Sequence, residues 1–276
     1  MTVEIWQAVV LGIIEGITEF LPVSSTGHLT IAEKLMKMKV DDPAVTAFTA
    51  VIQIGAILAA IIYFRADIIR FGGGILRGLF NKEQRGYDWR FGWYVVAGSI
   101  PIGVVGLLGK PLIVGPLRSL WFVAGSLIVW SFAMWFAERV GPQQRGEKDV
   151  TLTDVLVIGF AQCLALVPGV SRSGATITAG LLRDLDRVTA TRLSFFLGIP
   201  ALTAAGIYEL PDALDGSIGW PPVLVGTVAS FIVGYVSIAW LLKFVAKHSM
   251  NTFVTYRLFL GLGVIGLLIA GTITAT

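Results

Sequence analysis

The sequence predicts an all-α polytopic membrane protein with an inverted-topology repeat, each half being a re-entrant helical hairpin plus three transmembrane helices. Three observations support this prediction. Hydrophobic residues make up 55% of the 276-residue chain and charged residues only 14%, with a mean hydropathy of +0.79, whereas a soluble domain carries about 25% charged residues. Long apolar runs, such as AVIQIGAILAAIIYF at 50–64, lack the alternation of a barrel strand. A segment with polar residues near the start of the chain recurs in the second half.

That segment, GIIEGITEFLPVSSTG at 12–27, aligns with GFAQCLALVPGVSRSG at 159–174 at a constant offset of 147 residues. Chance similarity between apolar helices is common, but this match includes polar residues and therefore indicates an internal repeat. We expect two repeats, about 1–140 and 150–276, within a single membrane domain that covers 1–276. The matched pairs are Gly12 with Gly159, Glu15 with Gln162, Ser24 with Ser171, Ser25 with Arg172, and Gly27 with Gly174.

Each half begins with a helix, a tip rich in Pro, Gly and Ser, and a short amphipathic helix, which together predict a re-entrant hairpin. Three apolar spans follow each hairpin. Because three is odd, the second half must lie inverted relative to the first, as in many transporter folds. The hairpins then enter the bilayer from opposite sides, and their tips meet near its midplane. The predicted spans are 46–64, 92–109 and 119–137 in the first half, and 193–209, 223–243 and 256–274 in the second.

The charge of the loops predicts the orientation of the chain. Fifteen Lys and Arg residues, Arg257 among them, fall in predicted loops on the side opposite the N-terminus. Cytoplasmic loops carry the excess of positive charge, so we expect both termini outside, and the first hairpin to open to the outer side. The N-terminal side holds only Lys34, Lys37, Lys39, Lys110 and Arg118.

Glu15 and Glu19 are four residues apart and therefore share one face of the first helix. Two buried carboxylates repel each other unless one is protonated, or a cation or an arginine lies between them. A helix face that lines a polar crevice without chemistry is the alternative interpretation. Ionisable residues inside a membrane are costly and mark functional sites by default, so we predict that this pair holds a metal ion or moves a proton.

The tip PVSSTGH follows the two glutamates and interrupts the helix. Ser24, Ser25 and Thr26 are natural N-caps for the helix that starts near His28, and capping alone is the simpler interpretation. A helix N-terminus with free N–H groups is also an anion site, and His28 can donate or accept a proton near neutral pH. The tip therefore combines anion-binding groups with a proton carrier.

The matching tip, PGVSRSGAT at 168–176, carries one basic residue, Arg172, whose fork of N–H donors suits phosphate or carboxylate. Ser171, Ser173 and Thr176 add hydroxyl groups. A structural salt bridge between Arg172 and the glutamates is the alternative, and it is compatible with function in the resting state. The two tips together favour an anion with several oxygens, and the carboxylates favour a metal or a proton. A phosphorylated lipid satisfies both demands because its tail stays in the bilayer.

The rest of the composition excludes several other kinds of site. The single cysteine, Cys163, excludes an intramolecular disulfide and a thiolate metal cluster. Two histidines are too few for a His-based metal site, whereas carboxylates can hold a hard cation. The N-terminus lacks a basic region, so no cleaved signal peptide is expected. The pI of about 9.1 is explained by basic cytoplasmic loops, so no nucleic-acid partner is expected.

The stretches EGITE, FLPVSSTGH and PGVSRSGAT closely resemble those of the integral-membrane undecaprenyl pyrophosphate phosphatases linked to bacitracin resistance. The resemblance covers essentially the whole chain, including VIQIGAILA and LSFFLGIPA. It implies removal of the terminal phosphate of undecaprenyl diphosphate, which yields the carrier lipid for cell-wall synthesis, in the bacterial plasma (inner) membrane. It also implies dependence on a divalent cation, Mg²⁺ or Ca²⁺. A homodimer is one assembly state left open.

When the resemblance is transferred residue by residue, it implies two groups of site residues. The catalytic group is Glu15, Glu19, Ser25, His28 and Arg172, and Glu15 and Glu19 are also the expected metal ligands. The substrate-binding group is Ser24, Thr26, Gly27, Gln53, Gln162, Ser171, Ser173, Gly174 and Thr176.

The sequence leaves the nucleophile open. Ser25 could attack the terminal phosphorus with His28 as base, His28 could itself attack, or His28 and a glutamate could activate water. In each case Arg172 would stabilise the phosphoryl oxygens. The rival function is a polyprenyl-phosphate flippase or transporter, because inverted repeats with broken helices are typical of carriers. A carrier has less need of a glutamate pair and a serine–histidine tip.

Overall fold

A computed structural model of the protein describes residues 3–39, 42–114, 119–213 and 219–275. Within these ranges the chain forms eleven α-helices, of which α3, α5, α6, α9, α10 and α11 are long and apolar enough to cross a membrane. The helices are α1 (Ile5–Thr18), α2 (Ser25–Leu35), α3 (Pro43–Tyr63), α4 (Arg65–Phe80), α5 (Tyr87–Val114), α6 (Leu120–Val140), α7 (Leu152–Gln162), α8 (Arg172–Leu182), α9 (Arg187–Ala213), α10 (Trp220–Val245) and α11 (Asn251–Ile269). The chain is therefore a multi-pass helical membrane protein, as predicted.

Each predicted span overlaps one of these six long helices, and each predicted hairpin corresponds to a pair of short ones. The first hairpin is α1 and α2, and the second is α7 and α8, the latter pair joined by a 3₁₀ turn at Cys163–Leu166. Pro22 and Pro168 lie in the tips between the helices, where their missing N–H groups cost the chain no helical hydrogen bond. Arg118, which the sequence places in a loop, lies outside the described residues.

The segment between α3 and α5 differs from the prediction, because the expected loop is mostly the helix α4. Phe71, Gly74 and Gly78 form its buried face, and both glycines lie against the first turn of α5. Ile69 and Leu76 lie on the exposed face. Three consecutive glycines at 72–74 interrupt the apolar periodicity, which explains why the sequence suggests a loop here.

Arg257 is a second correction to the loop assignment. It lies in the second turn of the spanning helix α11 and has no exposed surface. A charge near the end of an apolar run suggests a loop, but here the helix begins six residues earlier, at Asn251. The remaining predicted loop charges still heavily favour the side opposite the N-terminus.

Each hairpin packs against a long helix of the other half. Helix α1 contacts α10, and α7 contacts α5. A Cβ atom at Gly12 would lie 2.4 Å from the Gly226 carbonyl oxygen, and one at Gly159 would lie 2.2 Å from that of Gly98. Any side chain would clash with these carbonyls. The two glycines matched in the sequence therefore meet the same structural requirement.

One end of the bundle, where α11 and α2 end, is closed by contacts near the C-terminus. The Lys34 ammonium donates to the Thr274 hydroxyl at 3.5 Å, and the Leu120 amide donates to the Ala275 carbonyl at 2.9 Å. The ends of α2 and α11 and the start of α6 therefore lie on one side of the molecule.

The opposite end is closed by a buried carboxylate, Asp154, at the start of α7. It pairs with Arg145 at 2.5 Å and with Arg183 at 2.8 Å. Burial alone would raise the pKa of this carboxyl, but hydrogen bonds from Arg145, Thr151 and Arg183 hold that pKa well below its usual range. The two arginines and Thr151 therefore stabilise the charged form of the Asp154 carboxylate.

Candidate active site

The two tips share an unusual backbone conformation at matched positions. Ser24 has a φ of 76° and Ser171 a φ of 77°, in the left-handed region that residues other than glycine rarely adopt. Each serine caps the following helix, because its hydroxyl accepts a hydrogen bond from the amide of Gly27 at 3.3 Å or Gly174 at 3.2 Å. Both tips are therefore built in the same way.

Glu19, at the end of α1, connects the two tips. Its Oε2 accepts a hydrogen bond from the Ser25 hydroxyl at 2.8 Å. Its Oε1 accepts from Arg172 Nε at 3.4 Å and Nη2 at 3.3 Å, and this ion pair is buried, with 8% of the arginine and 4% of the glutamate side chain exposed. Ser25 and Arg172, which are matched in the repeat, thus meet at one carboxylate.

Helix α9 holds the guanidinium of Arg172 from the other side. Nη1 donates to the Ser194 carbonyl at 2.9 Å, and the Thr176 hydroxyl donates to the Ser194 hydroxyl at 2.6 Å. A Cβ atom at Gly198 would lie 2.1 Å from Nη1, so a glycine is needed there for the guanidinium to fit. The sequence prediction missed Ser194 and Gly198. The only signal was the segment LSFFLGIPA, which contains both.

His28 makes contacts other than the expected one with Ser25. Its Nδ1 lies 2.7 Å from the Ser24 carbonyl, and its Nε2 lies 2.7 Å from the Tyr256 hydroxyl. A carbonyl can only accept, so Nδ1 carries the proton, and in the neutral ring Nε2 accepts from Tyr256. Both ring nitrogens are therefore engaged, and it is Glu19 that contacts the Ser25 hydroxyl. Sequence reasoning missed Tyr256, which is distant in the chain.

A second contact between the tips comes from Ser173, whose hydroxyl donates to the Leu21 carbonyl at 2.9 Å. The Ser171 and Ser173 hydroxyls lie 3.2 Å apart. Thr26 and Gly27 occupy the first turn of α2, where Thr26 is exposed and Gly27 is buried. Of the predicted hydroxyl groups, that of Ser25 contacts Glu19, and that of Ser173 connects the two tips.

Two predicted substrate-binding residues, Gln53 and Gln162, are not among the hydrogen-bonded groups described above. Gln53 is half-buried on α3, and Gln162 is fully buried at the end of α7. Among the described residues, neither makes a hydrogen bond to the tips, and both amide atoms of Gln162 lack a partner. Gln162 nevertheless has the place in the second hairpin that Glu15 has in the first.

Glu15 and Glu19 are the residues available to a metal ion. They are 2% and 5% exposed, and they lie one turn apart on the same face. In the described part of the chain, no cluster of three or more His, Cys, Asp or Glu side chains is arranged to hold a metal. The pair can therefore supply two ligands, and further ligands must come from elsewhere.

Comparison with known proteins identifies the family. The family model described as bacitracin resistance protein BacA matches residues 8–263, which include both tips. The chain belongs to the BacA family. It is 59% identical over 273 residues to Undecaprenyl-diphosphatase 1 of Streptomyces coelicolor, covering 98% of each protein. It is 57% identical over 275 residues to Undecaprenyl-diphosphatase 1 of Frankia alni, covering 99% of each. BacA relatives of this similarity align with the chain from end to end.

Proposed function

We propose that this BacA-family protein hydrolyses undecaprenyl diphosphate to undecaprenyl phosphate and inorganic phosphate, and so recycles the carrier lipid of cell-wall synthesis. The observation that carries the proposal is the hydrogen-bonded series of Ser25, Glu19 and Arg172, in which a hydroxyl, a carboxylate and a guanidinium meet inside a membrane protein. That its relatives are named undecaprenyl-diphosphatases supports the same substrate.

In the mechanism, the Ser25 oxygen attacks the terminal phosphorus while Glu19 accepts the hydroxyl proton. The bond from that phosphorus to the bridging oxygen breaks, and undecaprenyl phosphate leaves. Arg172 exchanges its contact with Glu19 for the phosphoryl oxygens, where a bidentate guanidinium offsets the developing charge. Water then hydrolyses the phosphoserine to release phosphate and restore Ser25. His28, fixed by Ser24 and Tyr256, holds the first turn of α2 in place.

A divalent cation belongs to this proposal as a partner of the substrate. Mg²⁺ is commonly bound by one or two carboxylates together with substrate phosphates, and the buried pair of Glu15 and Glu19 fits that requirement. These two residues would hold the ion, which would offset the charge of the diphosphate. Ca²⁺ also takes oxygen ligands and is the alternative ion.

The lipid tail has an apolar groove available beside the second tip. The groove has a volume of about 370 Å³ and reaches the tip at Val170, two residues before Arg172. A polyprenyl chain could follow this groove while the diphosphate lies between the tips. The other principal lining residues are on α6: Trp121, Phe122, Gly125, Val129 and Trp130.

The inverted repeat and the orientation are part of the proposal. The shared capping geometry of the tips, and the crossed packing of α1 on α10 and α7 on α5, support two halves related by a pseudo-two-fold axis in the bacterial plasma membrane. Both termini then lie outside, and the first hairpin opens to the outer side. Single cysteines at position 37 and position 84, in a Cys163→Ser background, test this. Only position 37 should react with an impermeant thiol reagent in intact cells.

The direct test is phosphate release from a C55 diphosphate by the detergent-purified protein, with and without EDTA. We expect release that stops with EDTA and returns on addition of Mg²⁺ or Ca²⁺. A protein that moves the lipid between leaflets of a vesicle without releasing phosphate would instead be a flippase, and would contradict the proposal.

A further inference from the structure

Arg257 on α11 is the largest fully buried side chain among the described residues. Its guanidinium makes hydrogen bonds in four directions. Two of them reach α6, where Nε donates to the Ser131 hydroxyl at 3.3 Å and Nη2 to the Leu127 carbonyl at 3.4 Å. The other two reach the tips, where Nη1 donates to the Pro22 carbonyl at 3.2 Å and Nη2 to the Gly169 carbonyl at 2.8 Å.

Pro22 and Gly169 are equivalent residues of the repeat, since they are separated by the same offset of 147 that relates the tips. Each lies two residues before a capping serine, Ser24 or Ser171. One guanidinium thus contacts the equivalent backbone carbonyl in each half. A shift of either tip relative to the other must break or strain one of these two bonds.

All four acceptors of Arg257 are uncharged, and within the described residues no carboxylate pairs with it. A buried charge without a counter-charge is expensive, and replacing it by an apolar side chain often stabilises a protein. Packing of α11 on α6 therefore does not explain an arginine here. The bonds to both tips do, because a planar fork can reach two separated carbonyls at once.

One of the other described contacts between the tips does not last through the proposed reaction. The ion pair of Arg172 with Glu19 must open when the guanidinium moves to phosphate, which leaves the Ser173 bond to Leu21 and the two bonds of Arg257. The Arg257 bonds involve backbone carbonyls that the proposed reaction does not use. They can hold the tips together throughout the catalytic cycle.

We infer that Arg257 is a positioning residue that fixes the separation of the two tips, so that Ser25 and Arg172 address the same phosphoryl group. This inference rests on the proposed function for its effect on turnover. Misplacement of reacting groups by about 1 Å can cost on the order of 10²-fold in rate. Substrate affinity depends less on the separation, because each tip keeps its own capped N-terminus.

The test compares Arg257→Met and Arg257→Lys with a matched control, Arg145→Met. Arg145 also donates to two backbone carbonyls, those of Asp149 and Arg183, but it lies between α6 and α7 and contacts neither tip. At a temperature where all variants are folded, Arg257→Met should lose kcat by roughly 10–10²-fold, with KM changed by less than about threefold. Arg257→Lys should lie between Arg257→Met and wild type, because one ammonium reaches fewer acceptors. Arg145→Met should keep the wild-type kcat.

Hydrogen exchange measured by mass spectrometry tests whether Arg257 holds the two tips together, without any assay of turnover. Arg257→Met should speed exchange in peptides covering both 19–28 and 167–176, whereas Arg145→Met should leave both unchanged. If the wild type releases no phosphate but both tips still exchange faster in Arg257→Met, the proposed function is wrong and the positioning role of Arg257 is supported. If the Arg257 variants keep kcat within twofold, if only one tip loosens, or if neither variant folds, the positioning role is overturned.

Discussion

The two tips have the same backbone and opposite chemistry. In each, a serine with left-handed φ caps an eleven-residue helix, α2 or α8. The next residue is Ser25 in the first tip and Arg172 in the second, and both reach Glu19. The two tips therefore share one backbone geometry. The difference at one matched position places the Ser25 hydroxyl opposite the Arg172 guanidinium. Under the proposed mechanism, either tip alone would supply only one of these two groups.

The helices of the two hairpins also differ between the halves, in charge and in burial. The first hairpin carries Glu15 and Glu19, whereas the second carries Gln162 and Leu166 at the matched positions. Helix α8 is buried from Ser173 to Leu181, whereas α2 buries only four of its residues. We interpret the first tip as the reactive one, and the second as the rigid one that presents Arg172.

The largest difference between the tips should appear when a serine is removed from each. Ser25→Ala removes the proposed nucleophile and should lower kcat by about 10⁴-fold or more, as loss of a nucleophile does in other enzymes. Ser171→Ala removes a cap and should cost about 0.5–2 kcal/mol of stability, with a much smaller loss of kcat. Acid-quenched wild type should contain phosphoserine at position 25. Survival of a tenth of the activity in Ser25→Ala would assign the attack to another group.

Arg172 should show the next largest effect. Arg172→Ala should lower kcat/KM by about 10²–10³-fold, the scale for loss of a preorganised donor. Arg172→Lys should also lose most of the activity, because it keeps the charge but not the bidentate fork. A purely structural ion pair makes a different prediction, in which neutralising both partners restores stability and activity. Measuring Tm and turnover of Arg172→Ala with and without Glu19→Gln separates the two, and recovery in the double variant would contradict phosphate binding.

The matched pair Glu15 and Gln162 should differ in its dependence on metal. Glu15→Gln makes the first hairpin resemble the second, and should lower turnover by roughly 10–10²-fold while raising the Mg²⁺ or Ca²⁺ concentration needed for half-activity. Gln162→Leu removes a buried amide with two unsatisfied atoms, and should leave Tm unchanged or raised. A raised KM in Gln162→Leu would instead support the predicted contact of Gln162 with substrate. Identical metal titrations of Glu15→Gln and wild type would contradict the metal role of Glu15.

Helix α9 provides a smaller, directional test of how the second tip is held. Gly198→Ala places a Cβ atom 2.1 Å from Arg172 Nη1, so the guanidinium must move and kcat should fall by about tenfold. Gly206→Ala, on the same helix, meets its nearest neighbour at an ordinary 3.6 Å and should behave as wild type. Equal turnover in the two variants would show that the position of Arg172 tolerates such a shift.

The smallest effect should come from the groove beside the second tip. A Cβ atom at Gly125 meets open space, so Gly125→Trp can fill the groove without disturbing the core. It should raise KM for a C55 diphosphate by a few-fold, a loss of about 1 kcal/mol of apolar contact, while leaving KM for a C15 diphosphate unchanged. Gly266→Trp on α11, where the glycine is equally open, is the control. An equal rise in KM for both chain lengths would contradict binding of the lipid tail in the groove.

The spans and the hairpins were predictable from sequence because each rests on a local pattern. Apolar runs of membrane length mark the spans. Ser24 was one of three predicted caps for α2, whereas Ser171 was predicted only as a source of a hydroxyl group. Local patterns misled where packing decides the outcome. Burial of Phe71 makes α4 a helix despite three glycines, and the carbonyls of both tips draw Arg257 into the core.

The contacts that complete the site could not be predicted from local sequence patterns. Gly198 is required only because Arg172 lies over α9, and Tyr256 contacts His28 from 228 residues away in the chain. The only signal for Gly198 was the resemblance carried by LSFFLGIPA, and the sequence analysis found none for Tyr256. The alignment of the repeats identified polar positions that occur in both halves. Gly198 contacts only the second tip, and Tyr256 contacts only the first.

The crossed packing of α1 on α10 has a consequence for how the protein is made. About 200 residues separate the two helices, and ribosomes add about 5–20 residues per second. The first hairpin, with two carboxylates on one face, therefore waits on the order of 10–40 s after synthesis for the surface that buries Gly12 and Gly16. The second hairpin finds α5 already in place. Biogenesis is thus asymmetric, and the half that carries Glu15 and Glu19 is the one whose packing depends on a helix made much later.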